Sequence, residues 1–330
     1  MKPPPVLTAP APGEPLAWVV RGQLVESVHT GHLVACDADG ALVLSRGEPE
    51  QEIYPRSSVK PLQALAMLRV GVRLDDEQLA LACASHNGEP RHLEVVRSTL
   101  ASAHLSEADL ENTADLPLNP AAAAAWRAAG RGPSALTQNC SGKHSAMLAT
   151  CRAAGWPTAR YRDPAHPLQH AIADTLADLT GVRPRHVGVD GCGAALFSTT
   201  VLGLARGFAR LATAPADTPE GRIARVMSAN PWLVGGTGRD VTAAMESVPG
   251  LIAKDGAEGI YAAALPDGRA VAFKISDGAG RPRPVVLAAA LHRLGVEGFW
   301  PWAQVQVLGH GEPAGAVRPA FGADAPVGLR

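Results

Sequence analysis

The order in which predicted strands and helices follow one another constrains the fold of this chain more than any other feature. Apolar and polar residues alternate within 19–45, where Asp37-Ala38-Asp39-Gly40 is a typical hairpin turn. The stretch 57–247 has mainly helical periodicity, and strand patterns return only after residue 248. Because strands from both ends of a chain can complete one sheet, this order predicts a single antiparallel sheet with the helical middle as a second lobe.

We therefore expect an α/β (α+β) fold with an antiparallel sheet lobe at about 17–56 and 248–330 and a helical lobe at about 57–247. Both lobes belong to a single domain, 17–330, and the cleft between them is the usual place for a small-molecule site. Residues 1–16 are rich in proline and lack the apolar core of a signal peptide, which predicts a disordered leader. The C-terminal end reads as a Gly/Pro-rich tail.

Lysine is scarce, since only five of the 30 Lys and Arg residues are lysine. An ε-amine can lose its proton when it is desolvated, whereas a guanidinium effectively cannot. Apart from Lys2, one lysine, Lys274, lies in an apolar run, and three lie in polar clusters at 56–60, 139–144 and 254–256. A GC-rich genome explains the scarcity but not this clustering beside Ser, Cys and Gly. The distribution predicts a lysine-assisted hydrolase.

Composition excludes several classes of partner. The formal net charge of −1 provides no field that would recruit nucleic acid or an anionic membrane. No stretch approaches the roughly 18 apolar residues that cross a bilayer. Five cysteines at irregular spacing do not form a disulfide framework and fit a reducing compartment. These features predict a cytoplasmic enzyme or binding protein that acts on a small molecule.

Three short motifs point to serine chemistry. Ser57-Ser58-Val59-Lys60 is an S-x-x-K tetrad at a helix start, where an unprotonated lysine one turn away could take the serine proton. Ser85-His86-Asn87 and Lys254-Asp255-Gly256 supply S-x-N and K-x-G, in the order found in serine β-lactamases and penicillin-binding proteins. Each alone has an ordinary explanation, namely a capping serine, a helix end or an edge lysine. The three together predict a serine hydrolase.

Two cysteines lie in Gly-rich turns with polar neighbours. Cys140 opens a helix with His144 four residues later, and Cys192 follows a short strand. Their spacing alone is not a zinc signature, and a Cys140–His144 nucleophile remains an alternative. The other three cysteines are interpreted as buried small hydrophobic residues. The glycine-rich run 235–239 lacks a Walker lysine, which disfavours a phosphate loop.

Five segments together resemble the signatures of class 3, rhizobial-type L-asparaginases, the "asparaginase II" family. The segments are Arg56-Ser57-Ser58-Val59-Lys60-Pro61-Leu62-Gln63, Ala84-Ser85-His86-Asn87, Asn139-Cys140-Ser141-Gly142-Lys143-His144, Val189-Asp190-Gly191-Cys192-Gly193 and Lys254-Asp255-Gly256-Ala257-Glu258-Gly259. The resemblance implies a fold similar to that of serine β-lactamases, penicillin-binding proteins and glutaminases. It also implies hydrolysis of L-asparagine to L-aspartate and ammonia by a homodimer.

The resemblance implies roles for individual residues as well. Two catalytic pairs are implied, Ser57 with Lys60 and Ser85 with Lys254, and Ser57 is the expected nucleophile. The implied cofactor is one zinc ion held by Cys140, Lys143 and Cys192, with a water as fourth ligand. The amine of Lys143 must lose its proton to bind zinc, which would explain why arginine does not stand there. The expected substrate-binding residues are Arg56, Asn87, His144 and Asp190.

Two other functions stay open. A β-lactamase or D-Ala peptidase-like serine hydrolase would be labelled covalently by a penicillin, whereas an asparaginase would release ammonia from asparagine. A non-catalytic zinc-dependent binding protein would do neither. The preference for asparagine over glutamine is also open, because one methylene in a pocket is worth only about 1–3 kcal/mol.

Overall fold

The computed structural model of the protein describes Leu7 and residues 9–322. The strands of this part are β1 Glu14–Arg21, β2 Leu24–Cys36, β3 Leu42–Arg46, β4 Glu52–Ile53, β5 Val187–Val189, β6 Ala195–Phe197, β7 Thr199–Thr200, β8 Ile252–Gly256, β9 Ile260–Ala264, β10 Ala270–Ile275, β11 Gln306–Gly309 and β12 Glu312–Pro319. The α-helices are α1 Lys60–Val70, α2 Asp76–Ala82, α3 Pro90–Ser102, α4 Pro120–Ala128, α5 Ser141–Ala153, α6 Pro167–Thr180, α7 Val201–Thr213, α8 Pro219–Ala229, α9 Pro231–Val234, α10 Asp240–Ser247 and α11 Arg283–Arg293. Short 3₁₀ helices span Arg56–Val59, Glu107–Asp109 and Pro301–Ala303.

Eight of these strands form one antiparallel sheet in the order β11-β12-β1-β2-β10-β9-β8, with β3 paired to β2. The 13-residue strand β2 joins the two ends of the chain, because Gly31 lies opposite Ile275 and Cys36 opposite Ala270 on β10. The N-terminal strand β1 pairs in turn with β12. The predicted α/β fold, with strands from both chain ends in a single antiparallel sheet, is confirmed.

Strands β8, β9 and β10 are buried along almost their whole length, so helices cover both faces of this end of the sheet. Helix α7 packs on β2, β9 and β10, and α11 packs on β9, β10 and β12. Helix α1 lies inside the helical lobe against α2, α5, α6 and α8, and its first eight residues are buried. This burial carries the side chain of Lys60 into the interior between the lobes.

The expected helix at the S-x-x-K tetrad has two parts, since a 3₁₀ helix at Arg56–Val59 precedes α1. Strand β1 begins at Glu14, so residues 14–16 of the expected leader belong to the sheet, while residues 1–6 and 8 lie outside the described residues.

The expected Gly/Pro-rich tail contains β11 and β12. Gly315 belongs there because a Cβ atom at this position would lie 1.9 Å from the carbonyl oxygen of Val20 on β1. No helix among the described residues is long and apolar enough to cross a membrane.

Candidate active site

A cavity of about 460 Å³ opens where the sheet lobe meets the helical lobe. The 3₁₀ helix before α1 and the loop after α2 form one wall, and the end of β8, the loop before α10 and the start of α11 form the other. Its charged and hydrogen-bonding side chains include Ser57, Ser85, Asn87, Asn139, Arg239, Asp255 and Arg283. Two of the three serine-hydrolase motifs therefore place their serines on one cavity.

The ammonium group of Lys60 is buried behind this cavity, with 1% of the residue exposed. Its Nζ donates to the carbonyl oxygen of Ala84 at 2.6 Å, to Ser85 Oγ at 3.0 Å and to Cys140 Sγ at 3.1 Å. An ammonium group has three donors, and these contacts use all of them. Lys60 thus ties the start of α1 to the loop after α2 and to the start of α5.

Ser57 lies on the cavity wall and is partly exposed, whereas Ser85 is only 3% exposed. The 3₁₀ helix that carries Ser57 is fixed by Ser58, whose amide and hydroxyl both donate to the carbonyl oxygen of Pro55. Arg56 has a φ of 51°, a left-handed conformation that is uncommon outside glycine and often marks a functional site. The local backbone therefore presents the hydroxyl of Ser57 to the cavity.

Lys254 is completely buried at the end of β8. Its Nζ donates to the carboxylate Oδ1 of Asp255 at 2.6 Å and to the carbonyl oxygen of the same residue at 2.8 Å. Burial lowers the pKa of Lys254 to about 8, and the neighbouring charges of Lys60 and Arg239 act in the same direction, against the attraction of Asp255. This lysine is close to the neutral form that proton transfer needs.

The hydrogen bonds differ from the two expected serine–lysine pairs. Lys60 bonds Ser85 rather than Ser57, because its donors are taken by three buried acceptors. Lys254 bonds Asp255 rather than Ser85, because a carboxylate one residue away is a stronger acceptor than a hydroxyl. The two lysines nevertheless lie within electrostatic reach of each other, so all four residues belong to one cluster.

Asp255 is the centre of a buried charge network that the sequence interpretation missed. Its Oδ2 accepts from Arg239 Nη2 at 2.7 Å and from Arg283 Nη1 at 3.4 Å, while Oδ1 accepts from Lys254. Although burial alone would raise the pKa of this carboxyl, the three cations hold it well below its ordinary value. Asp255 lies within a quoted motif and Arg239 ends the glycine-rich run, but nothing in the sequence pattern singles out Arg283.

The glycine-rich run 235–239 shapes the cavity beside Asn87. The Nδ2 of Asn87 donates to the carbonyl oxygen of Thr237 at 2.9 Å, and Arg239 Nη1 donates to the carbonyl oxygen of Ser85 at 3.0 Å. Gly236 has a φ of 119°, and a Cβ atom there would lie 2.5 Å from the side chain of Asn87. The run is a close-packed wall of the cavity, and no phosphate loop is needed to explain it.

The expected zinc ligands Cys140, Lys143 and Cys192 are buried side by side. Lys143 Nζ donates to Cys192 Sγ at 3.2 Å, and Cys140 Sγ donates to Asn139 Oδ1 at 3.2 Å. Interaction with the Cys140 side chain and the charge of Lys143 lower the pKa of Cys192 to about 5 despite its burial, while the pKa of Cys140 rises to about 12. The cluster thus brings two sulfurs, one of which favours its thiolate form, beside the nitrogen of Lys143.

This donor set fits a zinc ion, because zinc in proteins prefers sulfur and nitrogen ligands. No group of three or more His, Cys, Asp or Glu in the described part of the chain is arranged to hold a metal. A zinc site at this position must therefore include the amine of Lys143. The contact between Lys60 and Cys140 places this cluster directly behind Ser85.

The expected substrate-binding residues have different surroundings. Asn87 lines the cavity. Arg56 Nε donates to Asp190 Oδ1 at 2.7 Å, and Asp190 Oδ2 lies 3.7 Å from Cys192 Sγ, so this ion pair adjoins the sulfur cluster. His144 is completely buried, with its Nδ1 2.7 Å from the hydroxyl of Tyr161, and is not among the cavity-lining residues of the described chain.

A family model described as "L-asparaginase II" matches residues 17–319 of the chain. No curated protein sequence matches the chain.

Similar solved structures include a putative β-lactamase from Bacteroides dorei DSM 17855, with a TM-score of 0.47 and 14% identity over 81% of this chain and 93% of that chain. A β-lactamase from Mycobacterium bovis has a TM-score of 0.43 and 15% identity over 81% and 95% of the two chains. Mglu in its native form has a TM-score of 0.43 and 16% identity over 85% of this chain and 67% of that chain. Likeness at this level carries no argument about activity.

The buried carboxylate of Asp255 should be essential for stability. Asp255→Asn leaves Lys254 and Arg239 without their carboxylate partner and Arg283 with Asp240 alone, and breaking a buried ion pair from one side typically costs about 3–5 kcal/mol. We expect a loss of about 3 kcal/mol in the free energy of unfolding, measured by urea denaturation at neutral pH. Asp267→Asn is the matched control, because its pair with Arg269 is largely exposed and should contribute less than about 1 kcal/mol. Equal losses in the two variants would contradict the role of Asp255.

Proposed function

The chain belongs to the L-asparaginase II family, and from that premise we propose that it hydrolyses L-asparagine to L-aspartate and ammonia. The observation that carries the proposal is the cluster of two serines and two buried lysines on one cavity, within a chain that the family model matches from 17 to 319. Lysines with little access to water are the residues that can move protons at neutral pH.

Ser57 is the better candidate for the nucleophile. Its hydroxyl lies on the cavity wall where a substrate can reach it, whereas the hydroxyl of Ser85 is buried against Lys60. In the proposed reaction the Oγ of Ser57 attacks the side-chain amide carbon of asparagine, and its hydroxyl proton passes to the lysine cluster, in which Lys254 has the lowered pKa. The C–N bond then breaks, ammonia leaves, and water hydrolyses the serine ester to release aspartate.

Ser85 and Lys254 are proposed to carry the proton that the leaving nitrogen needs. Ser85 contacts Lys60 directly, and Lys254 lies close enough for its charge to interact with that of Lys60. Proton transfer is efficient when the pKa of the donor lies near the working pH, which the lowered pKa of Lys254 satisfies. The two serine–lysine pairs thus act as one connected chain rather than as two separate pairs.

The cavity wall is positively charged where the substrate's own charges must fit. Arg239 and Arg283 both line it, and the two nearby carboxylates, Asp255 and Asp240, only partly balance these arginines together with Lys254. We propose that this excess of positive charge holds the α-carboxylate of the substrate, and that Asn87 hydrogen-bonds its polar groups. The Arg56–Asp190 ion pair then supports the sulfur cluster from behind.

We also propose that Cys140, Lys143 and Cys192 hold one zinc ion. A zinc ion bound there would supply a Lewis acid close to the substrate. The argument rests on the donor chemistry, because two cysteine sulfurs and a lysine nitrogen lie together in a buried cluster that contacts Lys60.

The function is tested by measuring ammonia release from asparagine, glutamine and simple amides. Ser57→Ala should abolish nearly all turnover of asparagine while the variant still folds and binds it. Ser228→Ala is the matched control and should keep full activity, because this hydroxyl donates to carbonyl oxygens of its own helix and Ser228 is not among the residues that line the cavity. If the Ser57→Ala enzyme retains more than about a tenth of kcat, the Ser57 hydroxyl lowers the activation free energy by less than roughly 1.4 kcal/mol and is not the nucleophile. Covalent labelling by a penicillin without ammonia release would instead favour a β-lactamase or D-Ala peptidase-like hydrolase.

Activity should rise with pH through an ionisation near 8. The neutral amine of Lys254 is the form that can accept a proton, and it becomes more populated as the pH rises through its pKa of about 8. Lys254→Arg keeps the positive charge but has no accessible neutral form, so turnover should collapse at every pH. The check is a pH–rate profile of kcat for both enzymes. A normal pH–rate profile for the arginine variant would show that Lys254 contributes only its positive charge and transfers no proton.

The zinc proposal predicts about one equivalent of zinc per chain after purification without added metal. Lys143→Arg should lose most of it, because a guanidinium offers no free lone pair. Cys151→Ala is the control on the same helix and should retain the metal, since Cys151 lies among core residues. Elemental analysis decides the matter, and less than about half an equivalent in a fully active enzyme would leave Cys140 and Cys192 as ordinary buried thiols.

A further inference from the structure

Lys274, the lysine that lies in an apolar run of the sequence, takes no part in the site described above. It lies on β10 opposite His32 on β2, and it is partly buried, while its strand neighbours Phe273 and Ile275 are core residues. Its Nζ donates to the carbonyl oxygen of Ile275, and burial lowers its pKa. Among the described residues no carboxylate lies within salt-bridge distance of this ammonium group, and Glu258 and Asp277 attract it only from farther away.

Lys274 lines a second cavity of about 310 Å³. Glu258, in the turn between β8 and β9, also lines this cavity, and its charge attracts Lys274 although the two form no salt bridge. The carboxylate of Glu258 is 63% exposed and forms an ion pair with Arg56 Nη1 at 3.7 Å, too long for a hydrogen bond. A positive and a negative group therefore line the same cavity without touching each other.

Two other titratable groups of this cavity are already engaged. Glu52 accepts from the hydroxyl of Ser198 at 2.6 Å and pairs with Arg185 at 2.9 Å. The Nδ1 of His32 accepts from the amide of Glu48, and burial lowers the pKa of this histidine. The remaining lining is mixed, with apolar Pro10, Ile53 and Leu196 and polar Gln51, Tyr54 and Ser276. The charged groups left for recognition are therefore the ammonium of Lys274 and the carboxylate of Glu258, which Arg56 approaches only to 3.7 Å.

We propose that this second cavity binds a free α-amino acid as its zwitterion. The carboxylate of the ligand lies on Lys274 and its ammonium group on Glu258, which gives Lys274 the carboxylate it lacks and Glu258 a closer cation than Arg56. Charge-assisted hydrogen bonds of this kind are about twice as strong as neutral ones, and a cavity of this volume accommodates a small amino acid.

The second cavity shares a wall with the first. Arg56 and Glu258 line the second cavity, and their chain neighbours Ser57 and Ala257 line the first. An amino acid held on Glu258 would compete with Arg56 for this carboxylate and so act on the turn that carries Ser57. Binding in the second cavity is a separate event from hydrolysis, and it holds whichever substrate the first cavity takes.

The test is isothermal titration with L-alanine as probe, with propionate and ethylamine as probes for each charge alone. We expect saturable binding of L-alanine, and binding at least about tenfold weaker for propionate and for ethylamine, since each can meet only one of the two protein charges. Lys274→Met and Glu258→Gln should each weaken binding of L-alanine at least about tenfold for the same reason. The matched control is Glu312→Gln, which removes an exposed acid on β12 and should leave the titration unchanged.

Several results would overturn the proposal. The first is no saturable binding of L-alanine to the parent enzyme. Undiminished binding to Lys274→Met would place the amino acid in the first cavity, and equal affinity for propionate would show that Glu258 recognises nothing. Glu258→Gln protects the test against misfolding, because this side chain is exposed and its loss removes no core contact.

Discussion

The carboxylate of Asp255 is the interaction on which both lobes depend. It lies near the end of β8, the last strand of the sheet, and accepts from Lys254 of the same strand, from Arg239 of the helical lobe and from Arg283 of the last helix. Each of these cations would be costly to bury alone, because the interior solvates charge poorly. Asp255, with Asp240 beside Arg283, therefore allows two arginines and a lysine to approach a single cavity, and Arg239 then fixes the backbone of Ser85.

Burying charged groups at the site also lowers the stability of the fold. Lys60 and Lys254 are both buried where apolar side chains of similar volume would stabilise the protein more. Burial and the repulsion between the two lysines both lower the pKa of Lys254. A lysine that gives up its proton easily is a lysine that the folded state holds at a cost. The network around Asp255 limits that cost without removing it, which is the compromise that proton transfer by amines requires.

The sequence predicted the sheet well, because alternation within 19–45 and the return of strands after 248 leave few ways to bury both segments. It missed β12, where Gly315 and two prolines hide the alternation but suit a strand that approaches β1 closely. The order of the motifs predicted that Ser57, Ser85 and both lysines belong to one site. Spacing alone could not reveal that the carbonyl oxygen of Ala84 and the sulfur of Cys140 accept hydrogen bonds from Lys60. Hydrogen-bond partners distant in sequence, such as Arg283 for Asp255, carry no local signal.

The pairing of β2 with β10 has a consequence for the protein during its synthesis. Strand β2 is synthesised early, but its partner β10 emerges from the ribosome only after the whole helical segment between them. Contacts of such long sequence separation form slowly, and a nascent chain that ends before residue 254 has Ser57, Ser85 and Lys60 but lacks the strand that brings Lys254 and Asp255. The hydrolytic centre is therefore assembled last, so that truncated products of translation carry the serines without the means to use them.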